Sequence, residues 1–266
     1  MTLASLAKAA ARRVDRLVPA SPGVTVLIFH RVGGGSDSAV DLPTSAFEAH
    51  LEHLVQHHRV LTLDHAVDAL ASGRDERGVV ITFDDGTADF VDHALPLLQR
   101  FDVPATLYLA TSFVESGTAF PWGAPPVSWS GLADAVSTGL VTVGSHTHAH
   151  RLMRGVSSEV ATHEVRRSVD LIGERLGVAA QHFAYPKAVP GSRAAEQVVR
   201  THFRSAALAG NGANRAGRVD LHRLRRVPVQ RSDDAAMFAV QAAGGLRVEG
   251  AARALATRVR YRGSVT

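Results

Sequence analysis

Short apolar runs alternate with longer segments in which apolar residues recur at helical spacing along most of the chain. The runs predicted as strands cover residues 24–30, 61–63, 79–83, 104–110, 140–143, 183–185, 204–208 and 227–229. They are rich in valine, leucine, isoleucine and phenylalanine, and most lack the polar–apolar alternation of a half-exposed strand. Strands of this kind that alternate with helices are typical of parallel βα units, so we predict an α/β fold.

The segments between these runs predict helices, except for one long loop. Helical patterns cover residues 44–58, 64–70, 130–138, 157–176 and 192–202, a helix follows the strand at 79–83, and two more are predicted after residue 230. Residues 111–130 hold prolines, glycines and both tryptophans, which predicts a loop. The chain of 266 residues shows no repeat and no linker, and it is long enough for one sizeable core. We therefore predict a single domain over 1–266, with a core at 24–230 and helices at 231–266.

The first 20 residues predict an amphipathic helix. One helical face collects apolar residues, namely Leu3, Leu6, Ala7, Ala10, Val14 and Leu17. Lys8 interrupts the apolar stretch and arginines follow it, which is the reverse of a secretory signal peptide. This helix either packs on the body of the protein, which we favour, or makes a peripheral contact with a membrane. No apolar run reaches the roughly 18 residues of a membrane span.

Charge and cysteine content narrow the classes of partner and site. The net charge is +4, and arginines gather near both ends. These arginines either bind an anionic membrane or glycan or lie on solvent-exposed helix faces, and we favour the second interpretation. No aromatic residues are interleaved with the basic ones, so we expect no nucleic-acid partner. The chain has no cysteine, which excludes disulfides and thiolate metal sites and leaves histidine and carboxylate ligands for any metal.

Two adjacent aspartates, Asp84 and Asp85, follow the predicted strand at 79–83. Neighbouring carboxylates repel each other, and burial adds a desolvation cost. Two arrangements tolerate such a pair. One aspartate caps the next helix while the other faces water, or a divalent cation lies against both.

Three histidines, His146, His148 and His150, follow the strand predicted at 140–143. One helical turn would place His146 and His150 on the same side, where both imidazoles can bind a metal or simply face solvent. The absence of glutamate after His146 excludes the HExxH peptidase pattern. Because parallel strands end on one face, we expect these histidines, the aspartate pair and His30 to converge, together with Tyr185 and Pro186 at the end of a third strand. A cation held by one aspartate and two histidines would leave the other aspartate to act as a base on water.

These motifs together resemble a known family. The segments "TFDDG" (82–86) and "HTHAH" (146–150) occur in the order found in polysaccharide deacetylases of the NodB-homology type, carbohydrate esterase family 4. The segments "LIFHRVG" (27–33), "ALPLL" (94–98), "VPATLYLAT" (103–111) and "FAYP" (183–186) are also similar, so the resemblance covers about residues 24–230.

The resemblance implies a distorted (β/α) barrel with fewer than eight regular strands. It implies a hydrolase that removes an N-acetyl or, in some members, an O-acetyl group from a sugar or glycan. Asp85, His146 and His150 would bind Zn²⁺ or another divalent cation, and Asp84 would be the general base. Thr147 would support the metal ligands through its hydroxyl.

The third family motif departs from its usual form. Residues Ala184, Tyr185, Pro186 and Lys187 stand where the family often has RPPY, so the arginine that would contact the base is absent. Tyr185 and Lys187 are the candidates for contact with substrate and oxyanion, with the Lys187 backbone N–H as the donor.

The general acid is a second departure, because no DxxW segment and no LxH segment is found. His222 lies one residue short of the LxH spacing, so His30 is the candidate acid. The alternative for His30 is a structural hydrogen bond at the end of its strand. We expect His148 to lie behind the ligands or in solvent.

Two other functions stay open at this point. The altered third motif favours a glycan-binding protein on a retired catalytic fold, and the metal motif alone also allows an amidohydrolase that acts on a non-sugar amide. The lack of a signal peptide pattern favours a cytoplasmic protein that acts on a nucleotide sugar or a lipid-linked sugar, and the alternative role of the N-terminal helix would place it at the membrane. Export by another route would allow a polymeric substrate outside the cell.

Overall fold

Seven parallel strands close into a barrel in the computed structural model, which describes residues 22–245. The strands in chain order are β1 (Val24–Phe29), β2 (Arg31–Val32), β3 (Asp41–Leu42), β4 (Gly78–Phe83), β5 (Ala105–Leu109), β6 (Val141–Ser145), β7 (His182–Ala184), β8 (Ser205–Ala209) and β9 (Leu224–Pro228). The barrel order is β1-β4-β5-β6-β7-β8-β9, and β9 pairs back to β1, while β2 and β3 form a separate parallel pair. The predicted barrel with fewer than eight strands is confirmed.

The helices surround this barrel. They are α1 (Thr44–His57), α2 (Leu63–Ala71), α3 (Leu95–Phe101), α4 (Thr111–Ser116), α5 (Trp129–Ser137), α6 (Ser158–Leu176), α7 (Arg193–His202) and α8 (Ala235–Ala242). A π-helical turn, Phe90–Ala94, leads into α3, and 3-10 turns occupy Pro186–Ala188 and Leu221–Arg223. Serine side chains cap α5, α6 and α7 by accepting from a backbone N–H three residues ahead.

Both faces of the strands are buried, which explains the continuous apolar runs in the sequence. In β4, Ile81 and Phe83 point outward into a large cluster that includes Phe47 and Leu98 from the helices. Val80 points the other way and packs inside the barrel with residues such as Val26, Tyr108, Ala184 and Ala207. Each fully buried side chain of this size contributes about 1.5–3 kcal/mol. The same alternation directs polar side chains at selected positions into the barrel.

Several predicted elements are wrong in detail. The strand expected at 61–63 is reduced to a bridge between Val60 and Val79, because Thr62 caps α2, which begins at Leu63. The loop expected at 111–130 contains α4. The last barrel strand starts at Leu224 and not at Val227. The prediction missed its first residues because two arginines interrupt the apolar pattern of this strand.

The predicted helix over 1–20 lies outside the described residues, as does most of the predicted C-terminal helical region. Within the described part, α8 forms one of the two helices expected there. None of the helices in residues 22–245 has the length and apolar character needed to cross a membrane.

Candidate active site

A cleft of about 400 Å³ opens at the carboxyl ends of the barrel strands. Its walls include His30 after β1, Asp84 and Asp85 after β4, and His146 and His150 after β6. Lys187 and Trp122 also line it. Five of the side chains expected to converge, those of His30, Asp84, Asp85, His146 and His150, are therefore brought together by the barrel, although they come from distant parts of the chain.

Asp85, His146 and His150 form a compact group of candidate metal ligands. One ligand atom from each lies within 4.8 Å of the others. Asp85 Oδ1 is 3.5 Å from His146 Nε2 and 3.2 Å from His150 Nε2. Tetrahedral zinc, with bonds of about 2.0–2.1 Å, separates its ligand atoms by about 3.3 Å. The nature and spacing of these donors therefore suit a zinc-like cation.

His146 is held in the orientation that a metal ligand needs. Its ring is buried, and Nδ1 donates a hydrogen bond of 2.8 Å to the Ala184 carbonyl oxygen. This leaves Nε2, on the side facing Asp85, as the nitrogen without a proton. Burial lowers the pKa of His146 to about 4, against the opposing effect of the Asp84 charge. The imidazole is therefore neutral at pH 7.

His150 reaches Asp85 through a loop and not through a helical turn. Thr147 and His150 adopt left-handed backbone conformations, with φ of 68° and 53°, which folds the segment back on itself. Buried Thr147 accepts a hydrogen bond from the Arg151 N–H at 3.1 Å. Glu164 from α6, also buried, accepts one from the Ala149 N–H at 2.8 Å. These two hydrogen bonds, one of them to a helix outside the loop, hold the loop in this conformation.

His148 points away from the ligands. Its Nδ1 lies 3.0 Å from the Thr111 hydroxyl at the start of α4, and the residue does not line the cleft.

Asp84 is paired with an arginine that the sequence reasoning missed. Arg226 of β9 donates to both carboxylate oxygens, from Nη1 to Oδ1 at 2.6 Å and from Nη2 to Oδ2 at 2.9 Å. Its Nη1 also contacts the Thr82 hydroxyl at 3.1 Å, and the side chain is fully buried inside the barrel. The inference that no arginine contacts this aspartate is therefore corrected. The only signal was a second arginine in "LRRVP", at a position that faces inward if the strand begins at Leu224.

The two aspartates avoid each other's charge by facing different partners. Asp85 has φ of 77°, and the turn between β4 and Gly86 directs its carboxylate to the histidines while Asp84 faces Arg226. A side chain at Gly86 would lie 2.7 Å from Leu109, so the turn requires glycine there. Burial alone would raise the pKa of Asp84, but Arg226 and His146 hold it below its usual range. Burial alone would also raise the pKa of Asp85, but the hydrogen bond with His150 and the neighbouring histidines hold it well below its usual range.

The third-motif residues separate in space. Tyr185 packs in the core against Phe183, its backbone N–H donates to the Ala207 carbonyl at 3.2 Å, and it does not line the cleft. The side chain of Tyr185 is therefore buried away from the cleft in which its contact with substrate was expected. Lys187 does line the cleft and has φ of 58°, and Ala188 beside it has φ of 52°.

His30 lines the cleft, and His222 does not. Among the described residues, the buried Nδ1 of His30 has no hydrogen-bond partner, so the structural hydrogen bond considered for it is not found at that atom. His222 Nε2 donates to the Phe203 carbonyl at 2.8 Å, on the 3-10 turn outside the cleft.

Comparison with known proteins identifies the family. A family model described as polysaccharide deacetylase matches residues 71–206, which is just over half of the chain. The poly-beta-1,6-N-acetyl-D-glucosamine N-deacetylase of Staphylococcus epidermidis is 28% identical over 150 residues. That match covers 53% of this chain and 51% of the relative, so the chain spans about half of that protein.

Solved structures show the same fold. IcaB from Ammonifex degensii is 25% identical with a TM-score of 0.73, covering 86% of this chain and 100% of that one. The Streptococcus pyogenes deacetylase PplD, solved in complex with acetate, is 21% identical with a TM-score of 0.73, covering 84% of this chain and 99% of that one. The chain belongs to the polysaccharide deacetylase family.

Proposed function

We propose that this protein is a metal-dependent hydrolase that removes acetyl groups, N-acetyl groups first, from a sugar or glycan. The observation that carries the proposal is the donor group of Asp85, His146 and His150 beside an aspartate held by Arg226, all in one cleft. A divalent cation bound there would polarise the acetyl carbonyl and acidify a water molecule at neutral pH.

Asp84 is the proposed general base. Its Oδ2 lies 3.9 Å from His146 Nε2, so the carboxylate borders the position where the ligand atoms converge. Arg226 keeps this carboxylate ionised and fixes its orientation, so that it can take a proton as water attacks the acetyl carbon. Thr147 acts on the geometry, because its hydroxyl holds the loop that carries both histidines.

Lys187 and His30 are proposed for the remaining steps. The Lys187 backbone N–H lies in the first turn of a 3-10 segment, where such groups have no partner within the turn, and it can donate to the oxyanion. His30, across the cleft, can donate a proton to the sugar nitrogen as the C–N bond breaks. The products are acetate and a free amine.

Two features support catalysis over a retired binding fold. The donor group is complete, and the candidate base is held by a buried arginine, which is a costly arrangement to keep for sugar binding alone. The name of the staphylococcal relative supports N-acetyl-D-glucosamine as the first sugar to test.

The test is acetate release from N-acetylglucosamine oligosaccharides by protein stripped with a chelator and then reloaded with zinc, cobalt or manganese. We expect release only after reloading. Release that is insensitive to metal would contradict the proposal. Equal rates on a non-sugar acetamide would assign a general amidohydrolase instead, and sugar binding with no release from any N-acetyl or O-acetyl sugar would assign a binding protein.

A further inference from the structure

Lysine is rare in this chain, and one of its two lysines lies in the cleft. The sequence has 29 lysines and arginines, of which only Lys8 and Lys187 are lysines. Lys187 is therefore the one lysine in the sequence from residue 22 to residue 245, and its exposed side chain lines the wall beside Trp122 and His150. A lysine differs from an arginine in being a compact point charge on a flexible four-carbon stem.

The other charged side chains of the cleft already have partners. Asp84 is bound to Arg226, which lies inside the barrel and does not line the cleft, and Asp85 faces the two histidines. Arg31 lies 2.7 Å from Asp89, and that ion pair is largely buried. Among residues 22–245, by contrast, no carboxylate comes within ion-pair distance of the Lys187 ammonium. Lys187 is thus the charge that the cleft leaves available to a ligand.

An aromatic ring holds this ammonium next to the candidate metal ligands. Lys187 Nζ lies 5.1 Å from the centroid of the Trp122 ring, and that ring meets the His150 ring edge-on at 5.8 Å. One ring therefore separates the ammonium from a candidate ligand. Trp122 is itself stacked on Phe120 at 4.9 Å and is 41% exposed, so the ring is supported from within and open to solvent.

The contact with Trp122 is weak enough to be exchanged. A cation over an exposed aromatic ring gains about 0.5–1 kcal/mol, whereas a hydrogen bond between an ammonium and an oxyanion is stronger and shorter. A phosphate or carboxylate on a bound sugar would therefore draw the ammonium away from the ring. The left-handed backbone at Lys187 and Ala188 is unfavourable for both residues, and such strain is commonly kept where it positions a functional group.

We propose that Lys187 is a specificity-determining residue that binds an anionic group on the substrate. The substrate class is an acetylated amino sugar that carries a phosphate, a pyrophosphate or a neighbouring carboxylate. The oxyanion binds the ammonium while the acetyl group reaches Asp85, His146 and His150. This inference rests on the proposed function, because it assigns a substrate class to the same cleft.

The test compares kcat/KM on matched substrates. The neutral substrate is N,N′-diacetylchitobiose, and the anionic ones are N-acetylglucosamine 1-phosphate, UDP-N-acetylglucosamine and an oligosaccharide that alternates N-acetylglucosamine with glucuronate. We expect the wild type to prefer at least one anionic substrate. In Lys187→Met the ratio of anionic to neutral kcat/KM should fall by about tenfold or more, mainly through KM, and Lys187→Arg should keep most of it.

A matched control separates a local contact from general charge steering. Arg77→Met removes one exposed positive charge at the amino end of β4, on the opposite side of the barrel. We expect it to leave the substrate ratio unchanged. The inference is overturned if Arg77→Met and Lys187→Met lower the ratio equally, or if Lys187→Met leaves it unchanged. A preference confined to the phosphorylated substrates assigns a sugar phosphate or nucleotide sugar, and one confined to the glucuronate oligosaccharide assigns an acidic glycan.

Binding of the deacetylated products separates this inference from the proposed function. Calorimetry with glucosamine 1-phosphate and glucosamine requires no turnover. If the wild type binds glucosamine 1-phosphate more tightly than glucosamine, and Lys187→Met removes this difference, the anion contact is supported even without acetate release. In that case only the hydrolase proposal fails. Acetate release combined with equal binding of both ligands overturns the anion contact alone.

Discussion

Arg226 donates two hydrogen bonds to Asp84 inside the barrel, although 142 positions separate them in the sequence. The arginine is fully buried and the aspartate nearly so. Removing both charges from water is costly, and their mutual contact offsets that cost only while both partners are present. The pair therefore makes the fold sensitive to the loss of either partner, and it orients the proposed base.

Removing the Arg226 guanidinium while Asp84 remains should lower the free energy of unfolding, and it should also lower turnover because the proposed base loses its support. Arg226→Met leaves the Asp84 carboxylate buried without a counter-charge, so we expect unfolding in urea to become easier by about 3–5 kcal/mol. The double variant Arg226→Met with Asp84→Asn should regain much of this loss, because no unpaired charge remains. A double variant no more stable than Arg226→Met would show that the pair does not act as a unit.

The base and the metal ligands should separate in their effects on metal content. Asp84→Asn should retain the bound metal, since all three candidate ligands remain, while acetate release falls by a factor of at least about 10². His150→Ala should lose metal after dialysis, because it removes one ligand. Elemental analysis of both variants tests this. Metal loss in Asp84→Asn, or full occupancy in His150→Ala, would contradict the assignment.

His30 should matter only when the leaving group needs a proton. His30→Ala should slow deacetylation of acetamido sugars by about 10²–10⁴-fold, since an amine leaves only after protonation. An aryl acetate, whose phenolate leaves readily as an anion, should be hydrolysed at nearly the wild-type rate. His163→Ala, an exposed histidine on α6, is the control. Equal losses on both substrates would remove His30 from the acid role.

Stability should fall in mild acid because of His50 on α1. This side chain is 6% exposed and stacks on Phe238 of α8 with ring centroids 3.8 Å apart. Burial lowers its pKa to about 4, against a raising effect of Asp233. The unfolded chain therefore binds more protons than the folded one between about pH 6.5 and pH 4, and stability is lost as pH falls through that range.

The size of this effect can be measured with a variant of the same helix as control. From pH 7 to pH 5 the His50 contribution should cost about 2 kcal/mol. His50→Phe keeps the ring contact and should remove that part of the pH dependence in urea unfolding. His57→Gln changes an exposed histidine on α1 and should not. Parallel curves for the wild type and His50→Phe would contradict the prediction.

The sequence identified the candidate site residues that directly follow strands, but it did not identify the one that lies within a strand. Strands with both faces buried produce apolar runs, so polar residues directly after them, such as Asp84, Asp85 and His146, were recognisable as candidates. Arg226 was not, because a charged residue within a strand normally indicates an exposed position, and its partner is visible only once the barrel has formed.

Backbone conformation accounts for the other misjudged residues. Whether Tyr185 or Lys187 reaches the cleft depends on the left-handed backbone at Lys187. Glycine is the residue that would have indicated this conformation in the sequence, and the position holds lysine. Similarly, His146 and His150 meet through a loop held by Glu164, a residue from a helix whose sequence pattern does not indicate that role.

The strand β9 closes the barrel against β1 and also delivers Arg226 to Asp84. The same strand is consequently needed to close the barrel and to pair the proposed general base with its counter-ion. During synthesis, the chain must be extended through β9 before Asp84 can pair with Arg226. We therefore expect a chain truncated before Leu224 to contain every motif residue and to be inactive.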